Sequence, residues 1–179
     1  QTAFRQVRQS NPTAAWVELV RGRAMDRFEH LGFPSVKDED WKYTNLAPVV
    51  KETMSPAARP ERSERLNAKV HSHQYPETSN TNVVLIDGFM SAELSSLGGL
   101  GEVVALDLFE AIADVRYGKI AREYLARNAN YHDNGLTALN TAFLQSGVFV
   151  LIPKNAKLET PLQITLVSNA SEAKTASFP

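Results

Sequence analysis

Between residues 11 and 31 apolar side chains return every third or fourth position, at Trp16, Val17, Val20, Ala24, Phe28 and Leu31, while Arg21, Arg23, Asp26, Arg27 and Glu29 fall elsewhere. This is the period of an amphipathic helix with one buried stripe. Asn11 and Pro12 predict its start, Asn11 as the cap and Pro12 at the first helical position, where a missing N–H costs nothing. Gly32 predicts its end, because glycine closes a helix in the left-handed conformation. Phe33 is placed to fold back on the last turn, and Pro34 prevents continuation. From 51 to 77 the pattern decays into prolines and alternating charges, which predicts a polar linker with one short helix near 61–69.

Order returns at Val83, Val84, Leu85 and Ile86, an apolar run closed by Asp87 and Gly88 that reads as a strand and tight turn. Ser91 is placed to cap a brief helical turn reaching Leu97. A second strand is expected over 103–106. Asp107 and Glu110 then hold the spacing of a capping box that starts a helix over 108–113. Ile120, Tyr124 and Leu125 mark a further amphipathic helix. Asn134 and Gly135 precede another, in which Leu136, Leu139 and Phe143 share a face and which Gly147 ends. Val148, Val150 and Ile152 alternate with Phe149 and Leu151. After a turn at Pro153, Leu162, Ile164 and Leu166 alternate with Gln163, Thr165 and Val167. Two strands flanking a corner, or a β-hairpin with a long connection, both fit this pattern.

Charge and composition narrow the function. Nineteen basic and twenty acidic residues leave a formal charge of −1, so there is no electrostatic footprint for nucleic acid or an anionic membrane. The absence of cysteine excludes disulfides, thiolate nucleophiles and cysteine-held metal, and fits a reducing cytosol. No apolar run approaches the roughly 20 residues that span a bilayer.

Residues that often carry chemistry have a plainer reading here. Asp38, Glu39 and Asp40 are consecutive, so their side chains diverge, and an acidic start to a short turn explains them better than a metal or acid–base cluster. Trp41 and Tyr43 are expected to pin that turn onto a helical core. His71 and His73 have strand spacing but no third ligand nearby, His30 suits a helix C-terminus, and His132 sits in a polar loop. Gly98, Gly99 and Gly101 precede a strand rather than following one, which reads as a turn and not a phosphate cradle. There is no nucleophile elbow and no Walker-type sequence. No catalytic, cofactor-binding or metal-ligating residue is assigned, and the chain is not expected to be an enzyme.

Three strings, LGFPSVKDEDWKYTNLAP (31–48), ALNTAFL (138–144) and GVFVLIPKNAKLETPL (147–162), resemble in content and order the SufD family of the SUF iron–sulfur cluster assembly machinery, with its paralogue SufB next. The resemblance implies an α+β fold: an N-terminal helical lobe followed by the start of a right-handed parallel β-helix. It divides the chain into a helical region with polar linker (1–77), a mixed strand and helix segment (78–146) and a first, truncated β-helix coil (147–179). Such coils need about three repeats to stand alone. The implied function is a cytoplasmic scaffold that pairs with SufB and the ATPase SufC, with a homodimer as one state open to it in isolation. The full complex handles the iron–sulfur cluster, and the family's metal- and sulfur-handling residues lie beyond this stretch. A carbohydrate-active β-helix enzyme and a plain protein-interaction module built on 11–46 are the alternatives.

Overall fold

The computed structural model describes residues 1–52, 55–61, 64–169, 175, 176 and 178. Parts of the predicted helix at 61–69 and of the predicted coil at 147–179 therefore lie outside the described residues. The chain opens with α1 (Thr2–Ser10), which the apolar pattern did not announce because it buries only Phe4 and Val7. Asn11 ends that helix instead of starting the next: its backbone N–H donates to the Val7 carbonyl, and its side chain donates to Gln145 at 3.2 Å. Helix α2 (Ala15–Leu31) starts later than predicted, and no side chain caps it. Its stop is as expected. Gly32 takes φ 69° and donates to the Phe28 carbonyl, and Phe33 meets Phe28 edge-on at 5.1 Å.

A 3-10 turn at Glu39–Trp41 and the short α3 (Ala47–Val50) lead to β1 (Ser55–Pro56) and α4 (Glu64–His71). Leu66 and Val70 are fully buried, so α4 is a packed element and not part of a loose linker. Strand β2 (Asn82–Ile86) turns through Asp87 and Gly88, both at positive φ, into β3 (Phe89–Met90). Residues 91–97 form a turn, not a helix. Strand β4 (Val104–Asp107) feeds α5 (Leu108–Ala113). The Asp107 side chain accepts from the Phe109 and Glu110 amides, the cap its spacing predicted. Next come α6 (Gly118–Tyr124), α7 (Gly135–Ala142), β5 (Val148–Leu151), β6 (Gln163–Val167) and β7 (Thr175–Ala176). Asn134 caps α7 through the Thr137 amide at 2.9 Å.

The architecture is α+β. Strand β2 is the centre of a three-stranded sheet, antiparallel to β3 and parallel to β6 with Asn82 opposite Gln163 and Ile86 opposite Val167. Strands β4 and β5 pair antiparallel, and β1 pairs parallel with β7. The two predicted strands at 148–152 and 162–167 thus join different sheets, which rules out the hairpin between them. Helices α1, α2 and α7 enclose one apolar cluster around Phe4, Ala24, Met25, Ala138 and Phe143. A second joins Val83, Leu85, Leu100, Val103 and Ala105, and a third packs α4 on Val84, Ile86 and Val167. On α2 the buried stripe runs through Val17, Arg21, Ala24 and Met25, so Arg21, expected outside it, is fully buried. Its Nη1 donates to Glu18 at 2.8 Å, which supplies the countercharge that burial of a guanidinium requires.

At the corner between α5 and α6, Arg116 donates to both oxygens of Asp114 from its side chain and to one from its backbone N–H. These bonds hold the Asp114 carboxyl at about 2, below its ordinary 3.8. Because the folded value is depressed, the stabilisation is present above the unfolded value and disappears as pH falls from about 4 towards 2. The carboxyl is about a quarter exposed and open to titration from solvent. An NMR titration is expected to place the Asp114 carboxyl midpoint near pH 2, and to move it up towards 4 in Arg116→Gln.

Candidate functional site

The segment from 33 to 52 is held almost entirely by its own short-range bonds. Ser35 donates from its backbone to Asp38 at 2.7 Å, and Asp38 returns a backbone bond to Ser35 at 3.0 Å. Trp41 donates to the Asp38 carbonyl and Thr44 to that of Trp41, while Lys42 pairs with Glu39 at 2.6 Å. Asn45 then accepts from the Ala47 amide and starts α3. A turn closed by neighbours needs no core, and from 35 to 52 no residue is buried. Val36, Val49 and Val50 are exposed, and Tyr43 is 91 % exposed.

The expected packing of the aromatics therefore holds for one of them. Trp41 is half-buried in a depression of about 290 Å³ that it shares with Phe33, Pro34 and the start of α7 at Asn134 and Gly135. Tyr43, two positions further around the turn, stands in solvent, with the Lys42 ammonium 5.2 Å from its ring as its one ring contact among the described residues. The carboxylates of Asp38, Glu39 and Asp40 border the same depression but do not converge: Asp38 serves Ser35 and Glu39 serves Lys42.

The histidines are likewise scattered. His71 ends α4, and His73 sits in the following turn with Nδ1 at 2.9 Å from both the Lys69 carbonyl and the Ser72 hydroxyl. His30 lies at the exposed end of α2, and the His132 ring lies tilted against Tyr131 at 4.3 Å. Gly98, Gly99 and Gly101 form the turn their position suggested, with Gly99 donating to the Asn80 carbonyl. Among the described residues no group of three or more metal-binding side chains comes together. No helix among them is long and apolar enough to cross a membrane.

A second surface belongs to β6, and sequence reasoning missed it. An alternating strand normally turns its apolar set inward. Here Thr165 and Val167 face in, while Ile164 and Leu166 are 44 % and 64 % exposed. Polar partners draw the other face inward. Gln163 accepts from the Thr78 hydroxyl at 2.5 Å and donates to the His73 carbonyl at 2.8 Å, and Thr165 donates to Asn82 at 2.9 Å. Among the described residues β6 ends its sheet, and so does β5 in its own. Beside β5 an apolar depression of about 640 Å³ runs past Leu108, Ile120, Tyr124 and Phe149. The signal available in the sequence was the polar set Thr78, Thr81 and Asn82, which needed hydrogen-bonding neighbours. The arrangement can offer apolar area and an open strand edge to another polypeptide.

The family described as "SufBD protein N-terminal region" matches residues 3–164. The iron–sulfur cluster assembly protein SufD of Bacillus subtilis is 23 % identical over 167 residues, covering 88 % of this chain and 36 % of that protein. An iron–sulfur cluster assembly SufBD family protein of Synechocystis is 24 % identical over 148 residues, covering 83 % of this chain and 32 % of its own length. A Staphylococcus epidermidis protein of the same description reaches 47 % identity over 45 residues, a quarter of this chain. The chain spans about a third of the length of the first two relatives.

Proposed function

Since the chain belongs to the SufBD protein N-terminal region family, we propose that it is the N-terminal part of a non-catalytic scaffold in iron–sulfur cluster assembly. The scaffold pairs with SufB and with the ATPase SufC in the cytoplasm, and the cluster is cargo of the assembled complex. The family match over most of the chain carries this reading. In its finer form the proposal also includes fold: β6 belongs to the opening winding of a right-handed parallel β-helix. Its parallel pairing with β2, its place at the end of the sheet and the outward Ile164 and Leu166 support that. An exposed apolar strand at a sheet end is a liability unless another strand covers it.

The test is co-purification of the full-length protein with SufB and SufC. Recovery of a stoichiometric complex is the expected result, and a full-length protein that associates with neither overturns the assignment.

The segment 33–52 favours a second role within the same reading, as a partner-docking arm. Tyr43 makes it testable because its side chain supports no core. Tyr43→Ala is expected to change unfolding free energy by less than about 0.5 kcal/mol, as surface substitutions do. It is also expected to weaken complex formation by roughly tenfold, in the range of a lost aromatic contact in an interface. Denaturation and a binding titration on the same preparation check both; an unchanged affinity removes the arm from the interface.

A further inference from the structure

The elbow where α1 meets α2 holds more positive charge than the fold uses. Glu18 stands at its centre and is fully engaged: Oε2 accepts from Arg8 Nε at 2.5 Å and Oε1 from Arg21 Nη1 at 2.8 Å. Arg21 lies on the buried side of Glu18, with Nη1 also directed at the Asn11 carbonyl at 3.3 Å. Its Nε and Nη2 are buried without a partner among the described residues. Arg5 borders the same elbow one helical turn before Arg8 and Gln9, and its side chain is exposed and makes no hydrogen bond or ion pair among the described residues. Arg5 and Arg8 thus line the elbow with Glu18 while Arg21 lies buried behind that carboxylate, three positive charges to one negative in a chain of net charge −1. The elbow opens into a depression of about 400 Å³ lined by Arg5, Arg8, Gln9, Pro12, Thr13 and Glu18. It also lies at the N-terminus of the seventeen-residue α2, which no side chain caps. An uncapped helix start adds partial positive charge and free N–H groups.

We propose that this elbow binds a phosphate group. A phosphate carries close to two negative charges at neutral pH and three strong acceptor oxygens, which matches the local excess better than a single carboxylate does. Arginine forks suit such an anion geometrically. Glu18 does not repel it effectively, because both its oxygens are occupied and Arg21 neutralises it from behind. The Gln9 amide and Thr13 hydroxyl supply further donors at the rim. The depression is open, so the phosphate is one that a small molecule presents to the surface or that arrives free.

The test is a titration of the chain, labelled with ¹⁵N at arginine, with inorganic phosphate and separately with a nucleoside monophosphate. Both run against chloride at matched ionic strength. Saturable shifts of the Arg5 and Arg8 Nε–H signals are expected with either phosphate and not with chloride. A preference for the monophosphate identifies a borne group, and equal affinity a free one. Arg5→Glu removes no contact of the fold, and it is expected to weaken binding at least about tenfold, as loss of a charge-assisted bond does. A non-saturable response, an equal response to chloride, or unchanged binding by Arg5→Glu overturns the proposal.

Discussion

Gly135→Ala is expected to destabilise the protein by roughly 3 kcal/mol, at the upper end of what overpacking costs. A Cβ at position 135 would stand 2.0 Å from the Gly32 carbonyl oxygen and 3.2 Å from the Gly32 carbonyl carbon. Both atoms are backbone, at the point where the stop of α2 crosses the first residue of α7, so neither can swing aside as a flexible side chain would. Intrinsic helix preference argues the opposite way, since alanine is favoured over glycine by up to about 1 kcal/mol in a helix. The collision wins because relieving it requires the two helices to separate and the cluster around Ala24 and Phe143 to loosen. Gly22→Ala is the matching control. Nothing lies within 4 Å of a Cβ there, in the interior of α2, so it is expected to stabilise by about 0.5–1 kcal/mol. Urea denaturation midpoints at unchanged m-value would separate the two; a Gly135→Ala protein as stable as its parent means the helices do not cross so closely.

Glu18→Ala is the second large effect, at about 3 kcal/mol. It strips Arg21 of the one carboxylate that compensates it among the described residues while leaving the guanidinium fully buried, and an uncompensated buried charge is the costly half of a broken ion pair. Arg21→Met should be far milder, because an apolar side chain of similar volume fills the site without desolvating a charge. The double variant is accordingly expected to recover most of the stability lost in Glu18→Ala. Denaturation of all four proteins gives the coupling directly. If Glu18→Ala proves nearly neutral, water reaches the guanidinium and the pair is not buried in solution.

What the sequence made legible is local. The stop of α2 at Gly32 and Phe33, the cap at Asp107 and the turn at Asp87 and Gly88 all depend on residues a few positions apart, and each stands where its spacing placed it. The elements that escaped depend on distant partners. Helix α1 has only Phe4 and Val7 to mark it, and Phe4 is buried because Phe143 lies 5.8 Å away. Asn11 looked like a cap until Gln145 claimed its side chain. Arg21 looked like a solvated residue, but the Asn11 carbonyl at the end of α1 and the Glu18 carboxylate meet it on the buried side of α2. Tyr43 looked like a core anchor because sequence does not tell which side of a short turn meets the body. The outward face of β6 was hidden for the same reason: alternation reveals two faces, and the polar groups of Thr78 and Asn82 decide between them. The strongest candidate surface, the arm at 33–52, was legible as a motif, but its exposure was not.

The parallel neighbour of β2 sets a clock on how the molecule is made. Asn82 and Thr165, which meet across the two strands, are 83 positions apart. At roughly 5–20 residues per second of synthesis, that separation is a wait of about 4–17 s before the second strand even exists. During that interval Val84 and Ile86 are sheltered, among the described residues of their cluster, by Leu66 and Val70 of α4, already synthesised, and by Leu94 just after the β3 hairpin. The small helix that the pattern of charges made look dispensable is therefore the nascent strand's first cover.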